Sequence, residues 1–172
     1  MRSLLFILAC CLPTVAAAGW ADGSGKAVPD RDNMRSAGDF GVQLILTPDD
    51  ADFRRTWYSS TTPPRLQTTD RVRRGASVSA MLIFRGCAPD TTGKCDVVAE
   101  FALVAPDGKR SPAGSGPVWN AAPVDGKLVL SGASMTVGFD STDAPGSYKI
   151  IAVVTDRITG KSLTLSTAVK VE

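Results

Sequence analysis

Apolar and polar residues alternate with a period of two over residues 161–171. Leu163, Leu165, Thr167, Val169 and Val171 fall on one face, and Ser162, Thr164, Ser166, Ala168 and Lys170 fall on the other. Successive side chains of a strand point to opposite faces, so the segment predicts a β-strand with one buried side. The preceding stretch, 147–155, sets Tyr148, Ile150, Ala152 and Val154 against Lys149, Ile151, Val153 and Thr155. Its middle is apolar both ways, which predicts a strand inside a sheet. Residues 156–160 join the two as a tight turn.

The same reading runs back along the chain. Residues 41–47 predict a first strand, ended by Pro48, Asp49 and Asp50, and the polar run 59–64 predicts a loop. Residues 52–58 fit a short helix and an irregular strand equally. Residues 76–84 end in a continuous apolar run, as a central strand does, and 95–104 return with Val97, Phe101 and Leu103. With Pro89, Asp90 and Gly93 between them, these two strands predict a hairpin with a long tip. Pro106, Asp107 and Gly108 predict a reversal, because proline presets φ and glycine accepts positive φ. The Pro- and Gly-rich segment 111–126 predicts an extended connection between sheets. Residues 128–130 and 134–139 predict two further short strands, and 143–146 a turn into the final hairpin. No repeat and no helix of convincing length is read from the sequence.

Seven or eight short strands separated by turn signals, with almost no helix, predict an all-β antiparallel sandwich. In Ala105-Pro106-Asp107-Gly108, in Pro145-Gly146-Ser147-Tyr148, and in the turn 156–161 leading into Leu163-Thr164-Leu165, the chain resembles bacterial immunoglobulin-like or fibronectin-III-like domains. The resemblance spans residues 40–172 and implies an immunoglobulin-like sandwich without implying an activity. It maps the tyrosine near the start of the penultimate strand onto Tyr148. The antibody-type pattern is missing, because Cys87 and Cys95 are too close in sequence to bridge two sheets and no tryptophan lies between them.

Composition adds compartment. Met1-Arg2-Ser3, the apolar run that follows and the small residues 16–18 read as a secretory signal peptide over residues 1–18. The run is too short to span a bilayer, and no other segment reaches the ~20 apolar residues a spanning helix needs. Cys10 also fits a lipoprotein cleavage site, but the apolar run before it is very short, so no lipid anchor is expected. Residues 19–39 are polar and aperiodic, and read as a flexible lead-in to a domain at 40–172. A secreted or periplasmic protein is expected. Loss of the leader removes Cys10 and Cys11 and leaves Cys87 and Cys95, which in an oxidising compartment pair with each other. It also removes Arg2, leaving 18 basic residues of the original 19 against 17 acidic ones. Near neutrality gives no pull towards nucleic acid.

The chain contains no histidine among its 172 residues. That excludes Ser-His-Asp and Cys-His nucleophiles and most zinc and copper sites of familiar type. No serine stands three residues before a lysine, and the two cysteines lack the Cys-x-x-Cys spacing of redox sites. Acidic clusters at 49–52 and 140–143 read as turn residues rather than calcium loops. No cofactor and no metal is expected, and the chain is read as non-enzymatic. Arginines crowd one region instead. Arg54, Arg55, Arg65, Arg71, Arg73, Arg74 and Arg85 accompany Trp57 and Tyr58. Guanidinium forks suit carboxylate, phosphate or sulfate, so Arg54, Arg55, Trp57, Arg71, Arg73 and Arg74 form a candidate surface for an anionic envelope or extracellular protein. The plainer reading of these arginines is solvated residues that keep strand edges from pairing. The functional expectation is an interaction or accessory module. The alternative is a small-ligand or carbohydrate-binding protein using Trp57, Tyr58 or Trp119 as platforms, and a carboxylate-dependent enzyme comes third.

Overall fold

A computed structural model describes residues 19–22, 24–60 and 64–172. The signal-peptide reading at residues 1–18 lies outside them. In chain order the elements are β1 (Met34–Ala37), β2 (Phe40–Thr47), α1 (Asp50–Ser59), β3 (Arg71–Val72), β4 (Ser77–Arg85), β5 (Val97–Val104), β6 (Arg110–Trp119), β7 (Val129–Gly138), β8 (Gly146–Asp156) and β9 (Lys161–Val171). They form two sheets, β1-β2-β4-β7 and β3-β9-β8-β5-β6, antiparallel throughout except where β3 runs parallel to β9. The protein is an all-β sandwich.

Alternation decides which residues enter the core. From the four-stranded sheet come Phe40, Val42, Leu44, Leu46, Val78, Ala80, Leu82 and Phe84. From the other come Val97, Ala99, Phe101, Tyr148, Ile150, Ala152, Val154, Leu163, Leu165, Val169 and Val171. The expected faces of the final hairpin are therefore the observed ones. Tyr148, the third residue of β8, lies in this core, donates its hydroxyl hydrogen to the Ala144 carbonyl at 3.0 Å and meets Phe139 edge-on at 4.9 Å. Burial, with the Asp143 and Asp107 carboxylates nearby, holds its phenol above the usual range.

Four expectations need correction, and one alternative left open is settled. Residues 19–39 contain a strand, β1, and Trp20 is buried where its indole N–H donates to the Arg35 carbonyl at 3.0 Å. The polar composition concealed this because β1 is an edge strand with little apolar surface of its own. Residues 50–59 are a helix. Asp49 caps it by accepting from the Asp52 N–H at 2.9 Å, and Asp50 and Asp52 place negative charge at its positive end. The strands at 77–85 and 97–104 are not a hairpin, since β4 and β5 belong to different sheets and residues 86–96 cross between them. Residues 110–119, read as a connection, form β6 on the edge beside β5. The two short strands expected at 128–139 are one strand, β7.

Candidate functional site

The two sheets present different outer faces. On the four-stranded sheet, α1 lies across the strands, and Phe53 packs on Met81, Ile83 and Leu130 with Ile45, Trp57 and Leu66 around them. Arg54 fastens the helix down. It pairs with Asp50 at 2.6 Å and donates to the Ser131 carbonyl at 3.2 Å and the Ser134 hydroxyl at 3.1 Å, while Ser134 also reaches Asp50.

On the five-stranded sheet no element of the described residues lies over the outer face. Pairing registers order that face into four rows. These are Ser162, Thr155, Val98 and Pro117; then Thr164, Val153, Glu100 and Ser115; then Ser166, Ile151, Ala102 and Pro112; then Ala168, Lys149, Val104 and Arg110. The middle is apolar apart from the exposed Glu100 beside Val153, the β9 column carries hydroxyls, and the last row carries Lys149 and Arg110. Ile151 and Val153 are half-buried. A groove of about 350 Å³ runs beside Val153, lined by Glu100, Phe101, Ala102, Arg110 and Pro112 as well.

The arginines of the sequence reading do not share a surface. Arg54 and Arg55 sit on α1, Arg55 paired with Asp52. Arg71, Arg73 and Arg74 lie at and after β3, at the end of the sandwich where β9 finishes. Arg71 pairs with Glu172 at 2.9 Å and Arg74 donates to the Ser141 carbonyl at 3.3 Å. The Lys170 ammonium, followed by Arg71, draws the Glu172 carboxyl below its usual value. The Arg73 guanidinium has no hydrogen-bonding or ionic partner among the described residues, while the Arg73 carbonyl accepts from the Ala76 N–H at 3.1 Å. Arg85 stands at the far end of β4, whose nine residues span about 30 Å. Trp57 is partly covered under α1, and Tyr58, at 69% exposure, is free on the helix surface. Trp119 packs against Phe84 at 5.9 Å and donates its indole N–H to the Ala122 carbonyl at 2.9 Å.

At the Arg85 end the loops are held closely. Cys87 and Cys95 form the expected disulfide, with their Cα atoms 6.0 Å apart. It closes a loop that crosses between sheets rather than a hairpin tip. Asp156, fully buried, accepts from the Ala88 N–H at 3.2 Å, the Ile158 N–H at 3.0 Å and the Thr159 hydroxyl at 2.9 Å, tying the 86–96 loop to the β8–β9 turn. Sequence reading missed Asp156 because an aspartate in a turn is ordinarily a local hydrogen-bond acceptor.

No family model matches the chain, and no curated protein matches it. Solved structures resemble it distantly. A family 123 glycoside hydrolase from Clostridium perfringens is 11% identical at a TM-score of 0.43, over 76% of this chain and 27% of that one. A Niemann-Pick type C2 protein from the Japanese carpenter ant is 10% identical at 0.40, over 76% and 89%. An immunoglobulin-like protein from Pseudomonas aeruginosa is 12% identical at 0.34, over 76% and 91%. The chain thus spans about a quarter of the hydrolase. These likenesses concern the sandwich alone and assign no activity. No described helix is long and apolar enough to cross a membrane.

Proposed function

We propose that this chain is a secreted or periplasmic accessory module of immunoglobulin-like fold that works by binding a partner protein and not by catalysis. The observation that carries the reading is the outer face of the five-stranded sheet, where Ile151 and Val153 stand on a central strand with no layer of the described residues over them. A strand apolar on both faces is stabilised further by cover, and α1 supplies that cover only to the other sheet. The disulfide suits an oxidising compartment, and a chain without histidine lacks the commonest neutral-pH general base.

The partner's surface has apolar groups to meet Val98, Val153, Ile151 and Ala102, a cation or donor opposite Glu100, and carboxylates opposite Lys149 and Arg110. At usual strand spacings the four rows cover about 20 by 25 Å, or roughly 500 Å². That is below the ~800 Å² per partner of a stable complex, so the association is a transient one. Photo-crosslinking from position 153 in the native envelope tests this. An adduct to one protein is expected, and an Ile151→Asp substitution in the same chain is expected to abolish it. An adduct formed from position 73 and not from 153 would overturn the assignment and move the interface to the arginine-bearing end.

A further inference from the structure

The disulfide-held end of the sandwich encloses a cleft of about 450 Å³, within the range of small-molecule sites, lined by residues of four separate segments. Each wall is fixed. Gly86 has φ +71°, and a Cβ there would fall 2.0 Å from the Asp39 carbonyl oxygen, so the 86–88 segment lies directly on the turn before β2. The Cys87–Cys95 bond and the buried Asp156 carboxylate hold the next two segments. The fourth, 123–126, is hung from Trp119 through the Ala122 carbonyl and from the Cys95 N–H through the Ala121 carbonyl at 2.9 Å.

Four charged side chains line this rigid cleft, namely Asp39, Arg85, Asp125 and Lys161. None of them takes part in an ion pair among the described residues. Their placement is polar. Arg85 ends β4 two positions from Asp39 in the β2–β4 register, where Gly41 faces Arg85. The Lys161 ammonium lies beside the same turn, 3.5 Å from where a Cβ on Gly38 would stand. One wall therefore carries two cations and one carboxylate, and the 123–126 wall carries the single carboxylate of Asp125, beside the apolar surface of Pro123 and Val124. A neutral cleft with separated positive and negative walls matches a ligand that is itself neutral and separated in charge.

We infer that this cleft is a binding site for a small zwitterion of amino-acid or short-peptide size, its carboxylate held by Arg85 and Lys161 and its ammonium by Asp125. The site is distinct from the bare sheet face and independent of it. L-alanyl-L-alanine serves as the probe, with its N-acetyl and C-terminal amide derivatives as controls, titrated by NMR into the purified mature protein. Saturable shifts at residues 85–88, 123–126 and 159–161 are expected with the dipeptide, and about tenfold weaker binding of either blocked form, since each loses one charge-assisted contact. In Arg85→Gln the preference over the amide is expected to vanish, and in Asp125→Asn the preference over the acetylated form. Unperturbed shifts elsewhere show that both variants fold. Absence of saturable shifts up to about 10 mM dipeptide, equal binding of all three probes, or discrimination that survives both substitutions would each overturn the inference.

Discussion

Strands β4 and β8 are alike in sequence and opposite in surroundings. Each carries apolar residues on both faces, Met81 and Ile83 opposing Val78, Ala80, Leu82 and Phe84 in one, Ile151 and Val153 opposing Ile150, Ala152 and Val154 in the other. In β4 Met81 and Ile83 on the second face pack with Phe53 of α1 and are buried. In β8, among the described residues, that face meets only the side chains beside it in the sheet. The helix belongs to the β4 sheet because the 48–70 connection leaves from the end of β2, and β2 is β4's neighbour. Apolarity on both faces thus marks a demand for cover without saying who supplies it.

Removing the cover is the strongest way to sharpen this contrast. Phe53, at 1% exposure, is the anchor of α1, and Phe53→Ala should cost about 3–5 kcal/mol, read as a lower midpoint in denaturant at unchanged slope. A loss below about 1 kcal/mol would mean that α1 is an ornament and that the two faces are equivalent. Arg54 comes next. Its deletion leaves Asp50 and the Ser131 carbonyl short of a partner in a half-buried setting, and Arg54→Ala should cost about 1–2 kcal/mol. An unchanged midpoint would place Arg54 among the solvated arginines and restore its candidacy as a binding residue.

Legibility followed the physics of each element. The final hairpin could be read outright because its alternation is uninterrupted over both strands. The β4–β5 hairpin was misread because a loop that crosses a sandwich returns its ends to similar separation, so two cysteines eight apart fit either geometry. Strand β6 was hidden by Pro112, Pro117, Gly114 and Gly116, residues that an edge strand tolerates since only one of its sides must pair. Helix α1 offered Phe53 and Trp57 one turn apart and nothing further to set a period, although Asp49 before Asp50 and Asp52 carried a capping signal. The arginines form one run in sequence but three places in space, because a strand of nine residues and a sheet boundary separate them. The bare face was the part that alternation could flag, in Ile151 and Val153, but not resolve.

The smallest effect is also the sharpest discriminator between the two faces. If the β8 outer face has no cover in the isolated chain, replacing Ile151 and Val153 together by threonine keeps the β-branched shape that strands favour and exchanges the ethyl arm of Ile151 and one methyl of Val153 for hydroxyls at two half-exposed positions. The double substitution should shift stability by about 1 kcal/mol or less, whereas the same change at a fully buried position leaves a hydroxyl without a partner and costs more. Circular dichroism melts of the isolated protein provide the measurement. A loss of several kcal/mol would show that the face is covered in solution, by a second copy of the chain if the melting temperature then rises with protein concentration. A loss of about 1 kcal/mol or less, together with disappearance of the position-153 adduct, would separate binding from folding at this surface and leave cover of β8 to the partner, as cover of β4 belongs to α1.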